Sequence, residues 1–178
     1  MLRLFLAFEI PEAQRRSIES AIEPLRPSVR GARWTARESW HVTLKFLGAT
    51  VEDRLEAVAS TAAGVAASST ATKSALTGLG AFPGPQRARV VWVGLVDHGV
   101  LSSLARTLQA GFAGIGFPAE VRPWRPHLTV ARLKVPGPVD LTGAGPVDES
   151  PFPVEEIVLF RSHLKPSGAV YEPLARAG

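Results

Sequence analysis

Two histidine–threonine pairs are the part of this sequence best suited to chemistry. His41 and Thr43 are separated by one residue, as are His127 and Thr129, and the two pairs lie 86 positions apart. Alternate residues of a β-strand project from the same face, so each pair would present an imidazole beside a hydroxyl. Because an imidazole titrates at about pH 6.5, one ring can be neutral and the other protonated near neutral pH. The pairs are therefore candidates for general base and general acid catalysis.

In-line displacement at phosphorus is the metal-free reaction that suits this constellation. The attacking and leaving oxygens lie on opposite sides of the phosphorus atom, so a base and an acid are needed on opposite sides. Two related halves of a protein, packed face to face, would place the two histidines in that way. The hydroxyls of Thr43 and Thr129 would donate to the non-bridging oxygens, where negative charge accumulates. The residues alone leave the acid and base roles of the two histidines interchangeable.

The two pairs belong to an internal repeat. Arg3 aligns with Arg89 at the start of an apolar, strand-like segment, and the same offset of 86 aligns the two histidines. A segment with helical spacing lies between these two elements in each copy. We therefore predict a single bilobal domain over residues 1–178, with its copies at about residues 3–48 and 89–134.

Hydrophobic patterning places strands and helices around the two pairs. Strands are predicted at residues 2–10, 40–47, 74–82, 89–96, 127–133, 157–161 and 170–174, the last two forming a hairpin through a turn at residues 166–168. Helices are predicted at residues 12–25, 52–67 and 101–112. Residues 26–37 and 135–153 contain proline and glycine and are predicted to be loops.

The composition is that of a globular protein with a basic surface. Of 178 residues, 46% are hydrophobic and 20% are charged, which excludes wholesale disorder. Cysteine is absent, which excludes a disulfide scaffold, a thiolate zinc site and a cysteine nucleophile. The net charge of +4 favours an anionic partner such as nucleic acid, with an arginine-rich proteome as the alternative explanation. The apolar start of the chain is too short for a signal peptide or a membrane span, so we expect a cytoplasmic protein without membrane contact.

The residues around both pairs resemble a known family. The segments WHVTLKFLG (40–48) and PHLTVARL (126–133) look like the paired HxTx motifs of the 2H phosphoesterases. Within that superfamily the chain is similar to the bacterial RNA 2',3'-cyclic phosphodiesterases, also called 2'-5' RNA ligases. The segments RLFLAFEIP, GLGAFPGPQRARVVWVGL and EIVLFRSHLKPSGAVYEPL add to the likeness, which covers nearly the whole chain.

This resemblance implies a fold and a reaction. The fold would be α+β with two pseudo-symmetric lobes, each an antiparallel β-sheet with outer helices, and with the active cleft between the sheets. The reaction would be hydrolysis of an RNA 2',3'-cyclic phosphate to a 2'-phosphate, with the 3' oxygen leaving. His41 would be the general acid and His127 the general base. A 5'-hydroxyl in place of water would give reversible 2'-5' ligation by the same chemistry. We expect neither a cofactor nor a metal.

Two further residues are implied to bind the substrate. Phe46 and Arg132 each lie five residues after a catalytic histidine, and in the family these positions flank the nucleobase. Strict alternation places them on the strand face opposite the histidines, so a β-bulge or a strand end must redirect them. The alternatives are a core phenylalanine and a solvated arginine. Lys45 shares the parity of His41 and Thr43 and is predicted on their face, with its role open.

Structural explanations compete with the catalytic ones. Either histidine alone would more simply be a structural residue, and threonine is common in strands. A metal site lacks support, since no carboxylate stands at ligand spacing beside either histidine. The remaining polar candidates are of lower rank. His98 and His163 are interpreted as surface or structural residues, and Tyr171 as a candidate for substrate contact. Arg122, Arg125, Arg161 and Lys165 are interpreted as a basic rim for the RNA backbone or as an ordinary solvated face.

Three functions remain open from the sequence. The first is a metal-free phosphodiesterase acting on RNA with 2',3'-cyclic phosphate ends. The second is a non-catalytic RNA-binding module on the same fold, which the intact HxT pairs argue against. The third is a 2H enzyme acting on a small cyclic nucleotide or an ADP-ribose cyclic phosphate. We expect RNA as the partner, no obligate protein partner and a monomeric state.

Overall fold

Strands and helices follow one another much as the patterning predicts. The structure, a computed structural model, describes residues 1–166 and 168–178. Its elements in chain order are β1 (Leu2–Glu9), α1 (Glu12–Ile22), β2 (Ala32–Trp34), β3 (His41–Thr50), α2 (Leu55–Ala67), β4 (Thr72–Ser74), β5 (Leu76–Phe82), β6 (Ala88–Leu95), α3 (Val100–Gly114), β7 (His127–Gly137), β8 (Phe152–Val154), β9 (Ile157–Lys165) and β10 (Gly168–Ala177). Short 3₁₀ turns cover Glu23–Leu25, Arg37–Ser39, Glu52–Arg54 and Pro85–Arg87.

The main antiparallel sheet has two halves, called the two sheets below, that meet at the two histidine strands, and β4 and β8 pair separately in a two-stranded sheet. The strand order is β10-β9-β1-β3-β7-β6-β5, with β2 added to β7. At the centre of this order β3 and β7 are joined through one residue pair, Val42 with Leu128. The order on the two sides of this junction is equivalent. β3 is followed outward by β1 and then β9, and β7 is followed outward by β6 and then β5. The predicted α+β fold is thus confirmed, with a sheet on each side of the junction.

The sequence of β1 is almost continuously apolar because both of its faces are covered. Leu4 and Leu6 belong to the main core, which also includes the inner faces of the helices. Phe5 and Ala7 belong to a smaller cluster on the other face, where Tyr171 packs against them. Alternation along one strand therefore divides its residues between the core and the cleft side of the sheet.

The helices cover the core through one apolar side each. In α3 the buried residues Leu101, Ala105, Leu108 and Phe112 recur every three or four positions, which is the period of a helix face. The part of the chain that the structure describes contains no helix with the length and hydropathy of a membrane span.

Each histidine strand is braced by a segment that precedes the other one. β2 pairs with β7, and the following Thr35 donates from its hydroxyl to the carbonyl of Thr129 at 3.0 Å. In the second copy Trp124 Nε1 donates to the carbonyl of Thr43 at 2.9 Å. The two strands that carry the histidine–threonine pairs are therefore tied to both copies of the repeat.

Several boundaries differ from the predicted ones for identifiable reasons. The helix predicted to reach residue 25 ends at Ile22, and Pro24, which lacks an N–H, lies in the 3₁₀ turn that follows. The predicted loop at 26–37 contains β2, and the predicted loop at 135–153 contains the end of β7 and most of β8. β9 and β10 extend the predicted terminal hairpin at both ends. Ser167, in the predicted turn of that hairpin, lies outside the described residues.

The close approach of β5 to β6 requires glycine at position 80. A Cβ built on Gly80 would overlap the indole ring of Trp92, whereas a Cβ on Gly78 of the same strand meets open space. We expect Gly80→Ala to lower the free energy of unfolding by about 1–3 kcal/mol through overpacking. Gly78→Ala, as the matched control, should change it by less than about 0.5 kcal/mol. Urea denaturation measures both, and equal losses for the two variants would contradict the packing described here.

Candidate active site

A β-bulge follows Thr43 in β3. Consecutive residues of β1 pair with Thr43 and with Lys45, so Leu44 is the extra residue on the bulged strand. An extra residue reverses the alternation of side chains beyond it. Phe46 therefore returns to the face that carries His41.

The same bulge occurs at the equivalent position of β7. Consecutive residues of β6 pair with Thr129 and with Ala131, so Val130 is the extra residue. Arg132 is thereby redirected to the face of His127, just as Phe46 is in the other copy. The bulge that the predicted binding roles required is thus present in both histidine strands.

The prediction that Lys45 shares a face with His41 is wrong, because the bulge turns its side chain away. Lys45 is fully buried, and its ammonium donates to Gln109 Oε1 at 2.6 Å and to the carbonyl of Pro118 at 3.0 Å. Burial lowers the pKa of this ammonium, and the charge of Glu120 opposes the shift. Lys45 consequently anchors the segment that follows α3 to the sheet.

Both histidines are held by the same type of hydrogen bond. The Nδ1 atom of His41 lies 2.7 Å from the carbonyl oxygen of Ser39, and that of His127 lies 2.8 Å from the carbonyl oxygen of Arg125. A carbonyl oxygen only accepts, so each Nδ1 carries the proton and donates it. In a neutral ring Nε2 then holds the free lone pair, and in a protonated ring it becomes a donor. Each imidazole is thus prepared to take or give a proton at Nε2.

The two imidazoles have apolar neighbours. His41 packs against Phe5 at 4.8 Å between ring centroids, and the ring of Tyr171 meets it edge-on at the same distance. His127 meets Phe82 edge-on at 5.0 Å. These contacts place aromatic rings against both imidazoles.

Burial lowers the pKa of both imidazoles. For His41 it lowers the pKa from 6.5 to about 4, against the opposing effect of the bond to Ser39, and the positive charge of Arg132 adds to the lowering. For His127 burial is again the main cause of a lowered pKa, with Arg132 acting in the same direction. Both rings are therefore mainly neutral at pH 7 in the free protein, and an anion between them would favour protonation.

Both pairs line one cleft between the two sheets. The cleft has a volume of about 720 Å³, which suits a nucleotide-sized ligand. The six residues predicted from the sequence all line it: His41, Thr43, Phe46, His127, Thr129 and Arg132. Phe46 is 59% exposed, so it is not a core phenylalanine.

Other predicted candidates divide between the cleft and the surface. Tyr171 and Lys165 line the cleft. His163 instead pairs with Glu172 on the neighbouring strand at 2.7 Å, as expected of a surface histidine. Of the four residues proposed as a basic rim, Lys165 alone is among the cleft-lining residues of the described chain. That set includes none of Arg122, Arg125 and Arg161.

Several cleft residues were not found from the sequence. They are basic or polar side chains on β1, β2, the 3₁₀ turn before β3 and the segment after α3: Arg3, Arg33, Thr35, Ser39 and Glu120. The repeat offered a signal for Arg3, which starts the aligned strand. The others lie on segments too short or too irregular for a periodic pattern.

The described residues contain no group of three or more histidine or carboxylate side chains placed to hold a metal ion. The expected independence from metals therefore stays a prediction, to be tested with a chelator.

Comparison with known proteins identifies the family. The family model described as LigT like Phosphoesterase matches twice, at residues 8–92 and 93–171. A relative from Methanothermobacter thermautotrophicus named RNA 2',3'-cyclic phosphodiesterase is 32% identical over an alignment of 175 residues, with coverage of 96% of this chain and 95% of the relative.

Solved structures agree with this match. A crystal structure of a protein from Thermus thermophilus has a TM-score of 0.87 at 32% identity and covers 99% of this chain and 97% of its own. Escherichia coli LigT in complex with 3'-AMP has a TM-score of 0.81 at 26% identity, with coverage of 98% and 96%. The resemblance stated from the paired motifs is confirmed: the chain belongs to the family of LigT-like 2H phosphoesterases.

Proposed function

We propose that this protein hydrolyses RNA 2',3'-cyclic phosphate ends to 2'-phosphates. The observation that carries the proposal is the pair of equivalent histidines, one from each sheet, that line a single cleft with their Nδ1 atoms tied to backbone carbonyls. The name RNA 2',3'-cyclic phosphodiesterase, carried by relatives that align over nearly the whole chain, supports RNA as the substrate.

The proposed reaction is an in-line displacement with two proton transfers. Nε2 of His127 takes a proton from water as the water oxygen bonds to phosphorus. Nε2–H of His41 gives a proton to the 3' oxygen as the bond from phosphorus to that oxygen breaks. The acid role of His41 is taken from the family resemblance, because burial lowers the pKa of both rings and does not distinguish between them. A 5'-hydroxyl in place of water gives a 2'-5' phosphodiester by the same transfers.

The threonines and the redirected residues complete the proposed site. The hydroxyls of Thr43 and Thr129 donate to the non-bridging oxygens of the phosphate. Phe46 and Arg132, exposed on opposite strands of the cleft, hold the nucleobase between an aromatic ring and a guanidinium plane. Since acid and base come from different copies of the repeat, residues 1–178 act as one bilobal catalytic unit, and a monomer is sufficient.

The lowered pKa values predict different pH optima for kcat/KM and kcat. kcat/KM reports the free enzyme, in which one ring must be protonated and the other neutral. Because the pKa of both rings is lowered, to about 4 for His41, this form is most populated below pH 6.5 and is lost as the pH rises. A bound phosphodiester anion raises both pKa values, so kcat should peak at higher pH. Steady-state kinetics between pH 4 and 8, within the stable range of the protein, measures both. A kcat/KM optimum at or above that of kcat would contradict the site electrostatics.

Competition between substrates tests the proposed function. We expect a higher kcat/KM for an RNA oligonucleotide with a cyclic end than for 2',3'-cyclic AMP, because Arg3, Arg33 and Lys165 offer contacts to further phosphates along the cleft. Equal or lower values for the RNA would favour a small cyclic phosphate, such as the ADP-ribose derivative, as the substrate. RNA binding without turnover of any of these compounds would favour the non-catalytic module.

A further inference from the structure

The segment after α3 brings a carboxylate to the wall of the cleft. Glu120 lines the cleft, and its Oε1 accepts a hydrogen bond from the backbone N–H of Phe46 at 3.3 Å. The carboxylate therefore lies at the base of the side chain that is proposed to stack on the nucleobase. Neither the repeat nor the paired motifs account for this residue.

A hydrogen-bond network centred on the buried Lys45 fixes the position of Glu120. Its backbone N–H donates to Gln109 Oε1 at 3.2 Å, and the same oxygen accepts from Lys45 at 2.6 Å. Lys45 also donates to the carbonyl of Pro118, two residues before Glu120, at 3.0 Å. A buried ammonium without these acceptors would be costly, so the core itself holds this segment against β3.

The charge of Glu120 needs an explanation in this cleft. Among the cleft-lining residues of the described chain it is the one acidic side chain, whereas Arg3, Arg33, Arg132 and Lys165 are basic. A carboxylate opposes the binding of an anionic substrate at any phosphate position. It partly offsets the buried charge of Lys45, and towards the cleft it can bind only substrate groups that donate hydrogen bonds. Beside Phe46, the part of a nucleotide that offers such donors is the edge of the base.

We propose that Glu120 selects guanine as the base that carries the cyclic phosphate, an inference that rests on the proposed nucleotide site. A carboxylate only accepts hydrogen bonds. Guanine is the one common RNA base with two adjacent donors, N1–H and N2–H, on its Watson–Crick edge, and it can bind both carboxylate oxygens. Each oxygen has a second lone pair, so the bond from the Phe46 N–H can persist.

The other bases fit the carboxylate less well. Adenine and cytosine each present one amino group beside a ring nitrogen that is itself an acceptor and repels the second oxygen. Uracil presents one N–H between two carbonyl oxygens. The expected order of preference is guanine first, adenine and cytosine next, and uracil last. A bidentate pair typically discriminates by a factor of at least about five.

The test compares four oligonucleotides that differ only in the base bearing the cyclic phosphate. For the wild-type protein we expect kcat/KM for the guanine end to exceed that for the uracil end at least about fivefold. Glu120→Gln should bring this ratio close to one, because an amide offers one acceptor and one donor group. Glu149→Gln, at an exposed residue outside the cleft, makes the same change of charge and should leave the ratio as in the wild type.

Binding separates this inference from the proposed function. Calorimetry with guanosine and uridine 3'-monophosphates reports the base preference without turnover, and E120Q should abolish that preference. Turnover and binding with the same base ratio in the wild type and in E120Q would overturn the role of Glu120 and leave the hydrolysis standing. Base-selective binding that depends on Glu120, without turnover of any cyclic end, would support the inference and overturn the hydrolysis. If the protein shows no turnover and no base-selective binding, both the inference and the proposed hydrolysis are overturned.

Discussion

His127→Ala and His41→Ala are each expected to lower kcat for a cyclic-phosphate RNA by about 10²–10⁴-fold, the usual contribution of a general base or acid. Each variant lacks the Nε2 atom that takes or gives a proton in the displacement. His163→Ala is the matched control, because His163 pairs with Glu172 on the surface and should leave kcat within about twofold. Single-turnover kinetics measures the chemical step, and urea denaturation shows whether each variant is folded. Retention of most activity in either cleft variant would rule out the two-histidine mechanism.

A sulfur-substituted substrate distinguishes the acid from the base. If sulfur replaces the 3' bridging oxygen of the cyclic phosphate, the leaving thiolate needs no proton. His41→Ala should then regain most of the wild-type rate, whereas His127→Ala should stay slow, because activation of water is still required. The opposite pattern would exchange the two roles, which the near-symmetric placement of the rings permits.

Thr43→Val and Thr129→Val are each expected to lower kcat by about 10²-fold, within the usual effect of losing one donor to a developing negative charge. Valine keeps the shape and the strand preference of threonine and removes the hydroxyl. The brace bonds are retained, because they end on the backbone carbonyls of both residues. Thr50→Val, at the far end of β3, is the control for the effect of the substitution on the strand. Rates within about twofold of the wild type for both cleft variants would show that these threonines serve only as strand formers.

The common cleft of the two histidine–threonine pairs could be predicted from the sequence because their signal is both local and repeated. One HxT triplet indicates little, but two triplets at the same offset as two strand starts predict related halves around one cleft. The structure places His41, Thr43, His127 and Thr129 in that cleft. The α+β fold followed from the resemblance that these motifs carry.

Alternation misplaced Lys45 because a bulge depends on pairing between strands. The bulge after Thr43 is defined by the register of β3 against β1, to which the local sequence gives no access. Two adjacent buried residues, Leu44 and Lys45, are its consequence. The requirement that Phe46 turn toward the histidines was itself a sign that the alternation breaks between Thr43 and Phe46.

β2 and Glu120 lay beyond pattern analysis for a different reason. β2 has three residues, which is too short for a period to be visible, and it exists through its pairing with β7. Glu120 lies in an irregular segment whose position depends on Gln109 and Lys45, which are distant in sequence. A lysine between the apolar residues Leu44 and Phe46 was the available signal that a partner for its charge exists.

The central claim is that two histidines hydrolyse a 2',3'-cyclic phosphate without a metal, and one measurement tests it most directly. The protein is treated with EDTA and incubated with an RNA oligonucleotide that ends in a 2',3'-cyclic phosphate, and the product is mapped as a 2'- or a 3'-phosphate. We expect a 2'-phosphate, formed at the same rate with and without EDTA. Loss of turnover in EDTA with recovery on adding a divalent metal, or a 3'-phosphate as the product, would contradict the account.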